Sequence, residues 1–415
     1  MPSRRVKRVE RHIQIKSVVC ETWCQKAGLL YNYCNYQIRQ HFFATGKLLN
    51  HYDLIRQMTA DNQPDYRALP AQTAQQTILR LFKNWKAFFA ATRQYATHSE
   101  KFLGKPKLPV YKRGKKQSLL VLTNQQCRIV DGVVQFPKMV GFVPLITKVL
   151  PTQLREVRVS PQATCHIIEV VYEVQLDVDA LPEDRVLAID LGVSNFATCI
   201  GNVGLHPFIL NGKPLKALNQ WYNKELALLK SYVGDKSSRR IRQLTFRRNQ
   251  RVADYLHKTS RMIVNYCVTH QIGRIVIGKN PGWKQRISFG KRTNQTFAQI
   301  PFARLIDMLT YKAEDVGIMV ECTEEAYTSK CDHLAGETMQ RHDHYAGKRV
   351  KRGLFQSSTG RMINADVNGA AGIGKKVMGD GFIQTLLHRG VVLTPVRINL
   401  FTKDLSELYQ CAQNS

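Results

Sequence analysis

Four acidic residues, Asp190, Glu324, Glu325 and Asp366, stand where a lone charge would be costly or oddly placed. Asp190 lies inside Val186-Leu-Ala-Ile-Asp-Leu191, a run of apolar and β-branched residues of the kind buried on both faces of a sheet. An ionised Asp is expensive to bury unless something positive meets it, and a metal ion is the natural partner. Gly192 and Ser194-Asn195 then favour a turn, after which Phe196 to Ile200 resumes the strand pattern as a hairpin would. Glu324 and Glu325 end Gly317-Ile-Met-Val-Glu-Cys-Thr-Glu-Glu325, the last strand pattern of the region, and alternation lets only one of the two face a given side. Asp366 falls in the first turn of the small-residue helix that opens at Ile363-Asn-Ala-Asp. Hard oxygen ligands of this kind suit magnesium or manganese. Two such ions, ~3.5–4 Å apart, clamp the attacking water and the leaving oxygen of a phosphodiester, giving a 5′-phosphate and a 3′-hydroxyl. Taken singly, each carboxylate reads as a surface group or a turn cap, so the argument rests on their arrangement.

The composition names the partner such chemistry would need. Among 415 residues, 61 Lys and Arg oppose 31 Asp and Glu, a formal net charge of +30. That excess goes well beyond solubility and attracts polyanions over long range, so nucleic acid is expected and a membrane is not. No apolar run approaches the roughly 20 residues needed to span a bilayer. Met1-Pro-Ser-Arg-Arg-Val-Lys-Arg8 is basic without the apolar core of a secretory signal. An intracellular, cytoplasmic protein is expected, at the nucleoid when bound to DNA. The ten cysteines form no C-x-x-C pair, and Cys20, Cys24 and Cys34 match no common zinc spacing.

The length allows two or three domains. Residues 6–19 alternate as one strand, and residues 21–51 read as a helix with Trp23, Leu29, Leu30, Tyr33 and Ile38 near helical spacing. Leu69 to Tyr95 is a second, amphipathic helix. Around Lys101 the chain becomes Pro/Gly-punctuated and basic, which predicts an extended connector. Five short strands follow between Ser118 and Leu176, suggesting an antiparallel barrel joined by the first strand. Beyond residue 183 come the Asp190 hairpin, a third strand at Pro207 to Leu210 and a largely helical stretch to about His270. Buried strands at Arg274 to Gly278 and Gly317 to Glu325 flank a helix at Gln299 to Glu314.

Several clusters suit a nucleic-acid strand. Tyr31, Asn32, Tyr36 and Arg39 share a helix face that mixes rings, amides and bases, although aromatics at this spacing are as often core. Lys105, Lys107, Lys112 and Arg113 lie on the extended connector, where cations can follow phosphates; the alternative is a solvated loop. Arg239, Arg240, Arg242, Arg247, Arg248 and Arg251 crowd one helix with few acids among them. Like-charged neighbours destabilise a helix, which points to an external polyanion. Trp283, Lys284 and Gln285 in a polar loop complete the set, with Lys330, Lys351 and Arg352.

The ordered motifs Asp190-Leu-Gly, Gly278-Lys-Asn-Pro-Gly-Trp-Lys-Gln, Thr323-Glu-Glu-Ala-Tyr-Thr-Ser-Lys, Lys351-Arg-Gly-Leu-Phe and Ile363-Asn-Ala-Asp-Val-Asn-Gly-Ala resemble the TnpB (OrfB) transposon-encoded RNA-guided nucleases. Compact type V CRISPR effectors are close relatives. With Leu69-Pro-Ala-Gln and Gly104-Lys-Pro-Lys-Leu-Pro included, the likeness covers nearly the whole chain. It implies an α/β fold with a ribonuclease-H-like RuvC domain at residues 183–330 and 362–385. It further implies a wedge-like β-barrel (1–20 and 101–182), a helical recognition insert (21–100), a degenerate zinc-ribbon-like insert (331–361) and a C-terminal tail (386–415). The implied activity is metal-dependent cutting of double-stranded DNA beside a short motif, directed by a bound guide RNA.

Two departures qualify that resemblance. Most of the family carries its second catalytic carboxylate where this chain has Gly278, and the Glu324-Glu325 pair resembles a subgroup in which it has moved to the neighbouring strand. The family's four-cysteine ribbon is reduced to Cys331, with His333, His342 and His344 nearby at irregular spacing, so a metal-free insert is expected. The competing readings are a nuclease-inactive RNA-guided DNA-binding module, and a guide-independent nuclease or plain RNA-binding protein.

Overall fold

The computed structural model describes residues 4–203, 206–280, 291–388 and 394–400. They divide into two compact units, one spanning Arg4–Leu176 and one starting at Asp177, a few residues before the expected boundary. Among the described residues no helix is long and apolar enough to cross a membrane.

The first unit opens with β1 (Arg4–Ile15), α1 (Val18–Thr45), α2 (His51–Ala60), α3 (Pro64–Arg67) and α4 (Ala71–Thr97). It continues with β2 (Leu120–Thr123), β3 (Arg128–Val130), β4 (Val133–Gln135), β5 (Leu145–Ile146), β6 (Leu154–Pro161) and β7 (Cys165–Leu176). Helix α1 stops six residues before the sequence pattern fades, because Gly46 adopts φ 69° and its N–H closes on the Phe42 carbonyl. The strands do not pair into a closed ring. One sheet has the order β1-β7-β6-β2, and β3, β4 and β5 form a separate sheet. With only four residues, β2 pairs with β6 and ends the sheet instead of returning to β1. Nor do the helices have a core of their own: Trp23, Leu30, Ile78, Leu81 and Trp85 share one buried cluster with Leu120, Leu122, Val157 and Val159.

The α1 face expected to meet nucleic acid is largely occupied by the chain itself. Tyr31 is 2% exposed, with Lys112 Nζ 4.6 Å over its ring, so it has no free face for a base. Asn32 Nδ2 donates to the Lys112 carbonyl at 3.0 Å and Asn32 Oδ1 accepts from Lys112 N at 2.7 Å. Arg39 donates to the Pro109 carbonyl at 2.6 Å, and its guanidinium lies 4.6 Å from the Tyr111 ring centre. Extended backbone beside the helix leaves carbonyls and amides to be paired, and these side chains pair them. Tyr36 stays exposed, as do Lys105, Lys107 and Arg113. Beneath them Asn35, fully buried, donates to the Pro109 carbonyl at 2.9 Å and accepts from Trp85 Nε1 at 3.0 Å. Asn35→Ala orphans both partners and is expected to destabilise the unit by about 3 kcal/mol. Thermal unfolding checks this; an unchanged melting temperature would show that the linkage contributes nothing.

The second unit runs β8 (Val186–Leu191), β9 (Asn195–Gly201), β10 (Phe208–Asn211), α5 (Lys213–Val233), α6 (Arg239–Thr269), β11 (Arg274–Gly278), α7 (Lys291–Ala298), α8 (Phe302–Glu314) and β12 (Met319–Thr323). It ends with β13 (Lys348–Lys351), β14 (Leu354–Gln356), β15 (Met362–Asn364), α9 (Ala365–Met378), α10 (Asp380–His388) and β16 (Val396–Ile398). The main sheet has the order β12-β11-β8-β9-β10-β16. Strands β8, β9 and β10 pair antiparallel, while β11 joins β8, β12 joins β11 and β16 joins β10, all parallel. Apolar residues on both faces of β8 and β11 explain why helices cover both sides. Leu187, Ile189, Ile275 and Ile277 pack with α6 and α8; Val186, Ala188 and Val276 pack with Val367, Ala370 and Ile373 of α9. The segment expected to be a tail is therefore partly built in, since residues 396–398 form the sheet's outer strand.

Candidate active site

Asp190, one residue before the end of β8, pairs with Thr198 of β9, and α9 lies against it. Helix α9 can approach so closely because of Gly369: a Cβ built there would sit 3.0 Å from Asp190 Oδ2. The same helix brings Asp366, two residues past its N-cap Asn364, whose side chain accepts from Asp366 N at 3.0 Å and Val367 N at 3.3 Å. Burial, reinforced by the nearby charges of Glu325 and Asp366, pushes Asp190 up to about 8, while Arg349 pulls it the other way.

The two glutamates part company here. Glu324 is exposed, and its carbonyl accepts from Lys376 Nζ at 2.8 Å. Glu325 turns inward: burial pushes its carboxyl up to about 7, against the pull of Lys376, and Oε1 is buried with no hydrogen-bond partner. Asn280, just past β11, accepts from Glu325 N at 2.9 Å and donates to Glu325 Oε2 at 3.4 Å. Parallel pairing of Gly278 with Thr323 makes this possible by ending β11 and β12 level with each other. A Cβ built at Gly278 would stand 2.7 Å from Glu325 Cγ and 2.8 Å from Oε1. The absent side chain at Gly278 is thus the space that Glu325 fills.

A cleft of about 1000 Å³ opens beside Asp190 and Asp366, with Lys213, Lys216, Arg349, Arg352 and Arg397 among its lining. Glu325 is not part of that lining and meets Asp190 from the β11–β12 side. Asp366 is engaged on both oxygens, by Asn195 Nδ2 at Oδ2 and by Arg349 Nη2 3.8 Å from Oδ1. The donors suit a hard divalent cation: burial and the charges of Glu325 and Asp366 raise the cost of ionising Asp190, and one buried oxygen of Glu325 lacks any partner. Among the described residues, however, no three His, Cys, Asp or Glu side chains close into a ready-made metal cage.

Residues 169–284 match the OrfB_IS605 family, described as a probable transposase, and residues 302–373 match the Cas12f1-like TNB domain. Over these two regions the chain resembles the OrfB and Cas12f1-like proteins. A relative named CRISPR-associated endodeoxyribonuclease Cas12f2, from a Micrarchaeota archaeon, is 25% identical over 231 residues, 52% of this chain. That match spans 41% of the relative's length. The solved Cas12f1–sgRNA–target DNA complex superposes with a TM-score of 0.53 at 13% identity, covering 86% of this chain and 82% of that one. The fold is accordingly Cas12-like, with mixed α/β sheets.

The remaining candidates separate. Arg239, Arg240, Arg242, Arg247 and Arg251 are exposed along α6, with Arg251 5.9 Å from the Trp221 ring centre. Arg248 is instead structural: it is half-buried, donating to Asn219 Oδ1 at 2.9 and 2.7 Å and to the Gln299 carbonyl at 2.7 Å. Lys330 and Lys351 are exposed, while Trp283, Lys284 and Gln285 lie outside the described residues.

Cys331, His333, His342 and His344 do not gather. The Cys331 thiol donates to the Thr338 carbonyl at 3.4 Å, and His333 is fully buried against Gly372 of α9 with Nε2 2.7 Å from the Thr328 carbonyl. His342 Nε2 lies 2.7 Å from the Thr338 carbonyl, and His344 is exposed. Carboxylates tie this insert together instead. Asp332, fully buried, accepts from Ser357 Oγ at 2.8 Å, Ser358 N at 2.7 Å and Ser358 Oγ at 3.0 Å. Sequence reasoning passed over Asn195, Lys213, Lys216, Arg349 and Arg397. Asn195 had a signal, since it shares the turn after Asp190; Arg397 had none.

Proposed function

We propose that the chain is an RNA-guided DNA endonuclease with Asp190, Glu325 and Asp366 as its catalytic carboxylates. The observation that carries this reading is their grouping: a half-buried Asp190 pushed up by desolvation and by two other carboxylates, beside a cleft walled by lysine and arginine. Magnesium or manganese, when bound, supplies an activated water and neutralises charge growing on phosphorus. Asp190 and Asp366 would hold it from β8 and α9, and the orphaned Glu325 Oε1 would supply the third ligand. Lys213, Lys216 and Arg352 meet the phosphates of a strand in the cleft, fixing the scissile bond against those carboxylates.

Three antiparallel strands continued by parallel β11 and β12 support a ribonuclease-H-like, RuvC assignment for residues 183–330 and 362–385. The net charge of +30 and the exposed α6 arginines support guide RNA and double-stranded DNA as partners, as the sgRNA and target DNA of the Cas12f1 complex do for that relative. A second reading, an RNA-guided binding module that does not cut, is favoured by the lack of a ready-made metal cage among the described residues.

The test is cleavage of a plasmid library that carries a randomised motif beside a guide-matched target, using protein purified with its RNA. Cutting in magnesium, abolished by chelation and leaving 5′-phosphate ends, is expected. Guide-dependent binding without cutting would establish the second reading.

A further inference from the structure

We propose that Arg397, on the outermost strand β16, is a positioning residue of the carboxylate site, acting through Asn195 to fix Asp366. The inference rests on the proposed role of Asp366 and adds to it a device that the C-terminal segment supplies.

Strand β16 is short but anchored. Phe208, Ile209 and Leu210 pair with Val396, Arg397 and Ile398, Val396 N donates to the Pro207 carbonyl at 2.9 Å, and Ile398 is 5% exposed in the core. Successive side chains on a strand point to opposite faces, so burying Ile398 turns Arg397 the other way. There its Nη1 donates to Asn195 Oδ1 at 2.9 Å, and Asn195 Nδ2 donates to Asp366 Oδ2.

The chemistry of the three groups fixes the direction of this chain. An isolated amide can face a carboxylate by either end through rotation about its last bond. A guanidinium can only donate, so Arg397 must take the Asn195 oxygen; a carboxylate can only accept, so Asp366 must take the amide nitrogen. Each outer group enforces the orientation that the other needs. The Asn195 backbone is held as well: Gly192 N donates to the Phe196 carbonyl at 3.2 Å, and a Cβ on Gly192 would stand 2.5 Å from the Asn195 carbonyl oxygen. With Oδ2 committed, the freedom of the Asp366 carboxylate is reduced to presenting Oδ1, which lies 3.8 Å from Arg349 Nη2. Arg349 is a partner that an incoming cation can displace, whereas the Asn195 bond is internal and stays. Outer partners of this kind, once mutated, typically weaken metal affinity by about 10–100-fold.

The test uses the full chain, with terbium(III) luminescence as the ion probe and guide-directed DNA cleavage as a second readout. Arg397→Ala and Asn195→Ala should each weaken terbium binding by about 10-fold. The double variant should be no weaker than either single one, because both remove the same linkage. Arg397→Lys, which keeps a donor, should recover part of the loss, and kcat should fall while KM for DNA holds. Thermal melts matching wild type exclude loss of fold.

Unchanged terbium affinity in Arg397→Ala, or additive losses in the double variant, would overturn the inference while leaving the nuclease reading intact. So would a rise in KM and in salt sensitivity without loss of ion affinity, since that marks Arg397 as a phosphate contact only. A wild-type chain that neither binds terbium nor cuts would overturn the nuclease reading, and the inference with it.

Discussion

Alanine at Asp190 or at Glu325 abolishes guide-directed cutting, while alanine at Glu324 leaves it close to wild type. This is the expected result of a three-protein comparison in magnesium, and the reason lies in where the side chains sit. Asp190 is half-buried under α9 with its carboxyl pushed up to about 8, and Glu325 is half-buried beside it with its carboxyl pushed up to about 7. With Glu325 beside it, Asp190 ionises readily only when a cation offsets the charge, so each carboxylate contributes most when one is bound. Removing either should cost at least ~10³-fold in rate, about 4 kcal/mol of barrier. Glu324 is exposed, and its carbonyl holds Lys376 through an atom that alanine keeps. DNA binding should survive in all three variants, because the exposed arginines of α6 are untouched. Equal loss in the Glu324 and Glu325 variants would refute the division of labour between them.

Periodicity was sufficient for the longer elements but not for the shortest strands or for how the elements associate. Apart from β16, the strands of the main sheet follow from apolar runs, and α9 from its small residues, because burial leaves a local imprint on sequence. The single core shared by α1, α4, β2 and β6 leaves no such imprint, since it depends on contacts between segments about 100 residues apart. Tyr31, Asn32 and Arg39 illustrate the consequence. Rings, amides and cations suit a nucleic-acid surface, yet the same groups satisfy the backbone of residues 109–112, and only the path of the connector decides between the two. Arg248 is a similar case: its neighbours in sequence are exposed, but Asn219 on α5 captures it.

At the site, sequence alone singled out the acids and left the Glu324–Glu325 choice open, because alternation says that the two face opposite sides but not which side is the site, and the strand itself ends earlier, at Thr323. What sets Glu325 apart from Glu324 in the structure is Asn280, which binds Glu325 at both backbone and side chain. Arg397 was illegible for a different reason. A three-residue strand carries too little pattern to be told from a tail, and its importance comes from pairing with β10, nearly 190 residues earlier in the chain.

Gly278 tests whether the carboxylate has moved between strands or simply been lost. A methyl group there would lie 2.5 Å from Ile373 Cδ1, 2.7 Å from Glu325 Cγ and 2.8 Å from Glu325 Oε1. Ile373 is fully buried among α9 and the sheet and can give little, so Glu325 must yield. Gly278→Ala should therefore cost about 1–3 kcal/mol of stability by overpacking. It should also lower the cleavage rate by about 10²-fold, the usual consequence of a reacting group displaced by roughly 1 Å. Guide-dependent binding should not change. The reciprocal exchange is the more searching experiment. Gly278→Asp combined with Glu325→Ala puts a carboxylate into the same space from β11 instead of β12, and the methyl left at residue 325 ends before the Cγ that the new side chain would meet. Cleavage by this double variant should exceed that of Glu325→Ala alone by at least about 10-fold, roughly 1.4 kcal/mol of barrier. A folded double variant as inactive as Glu325→Ala would mean that the two strand ends do not serve one site, and full activity in Gly278→Ala would mean that Glu325 is not held against Gly278 when the enzyme works. Rescue would show that what the site requires is a carboxylate in that volume, whichever strand supplies it.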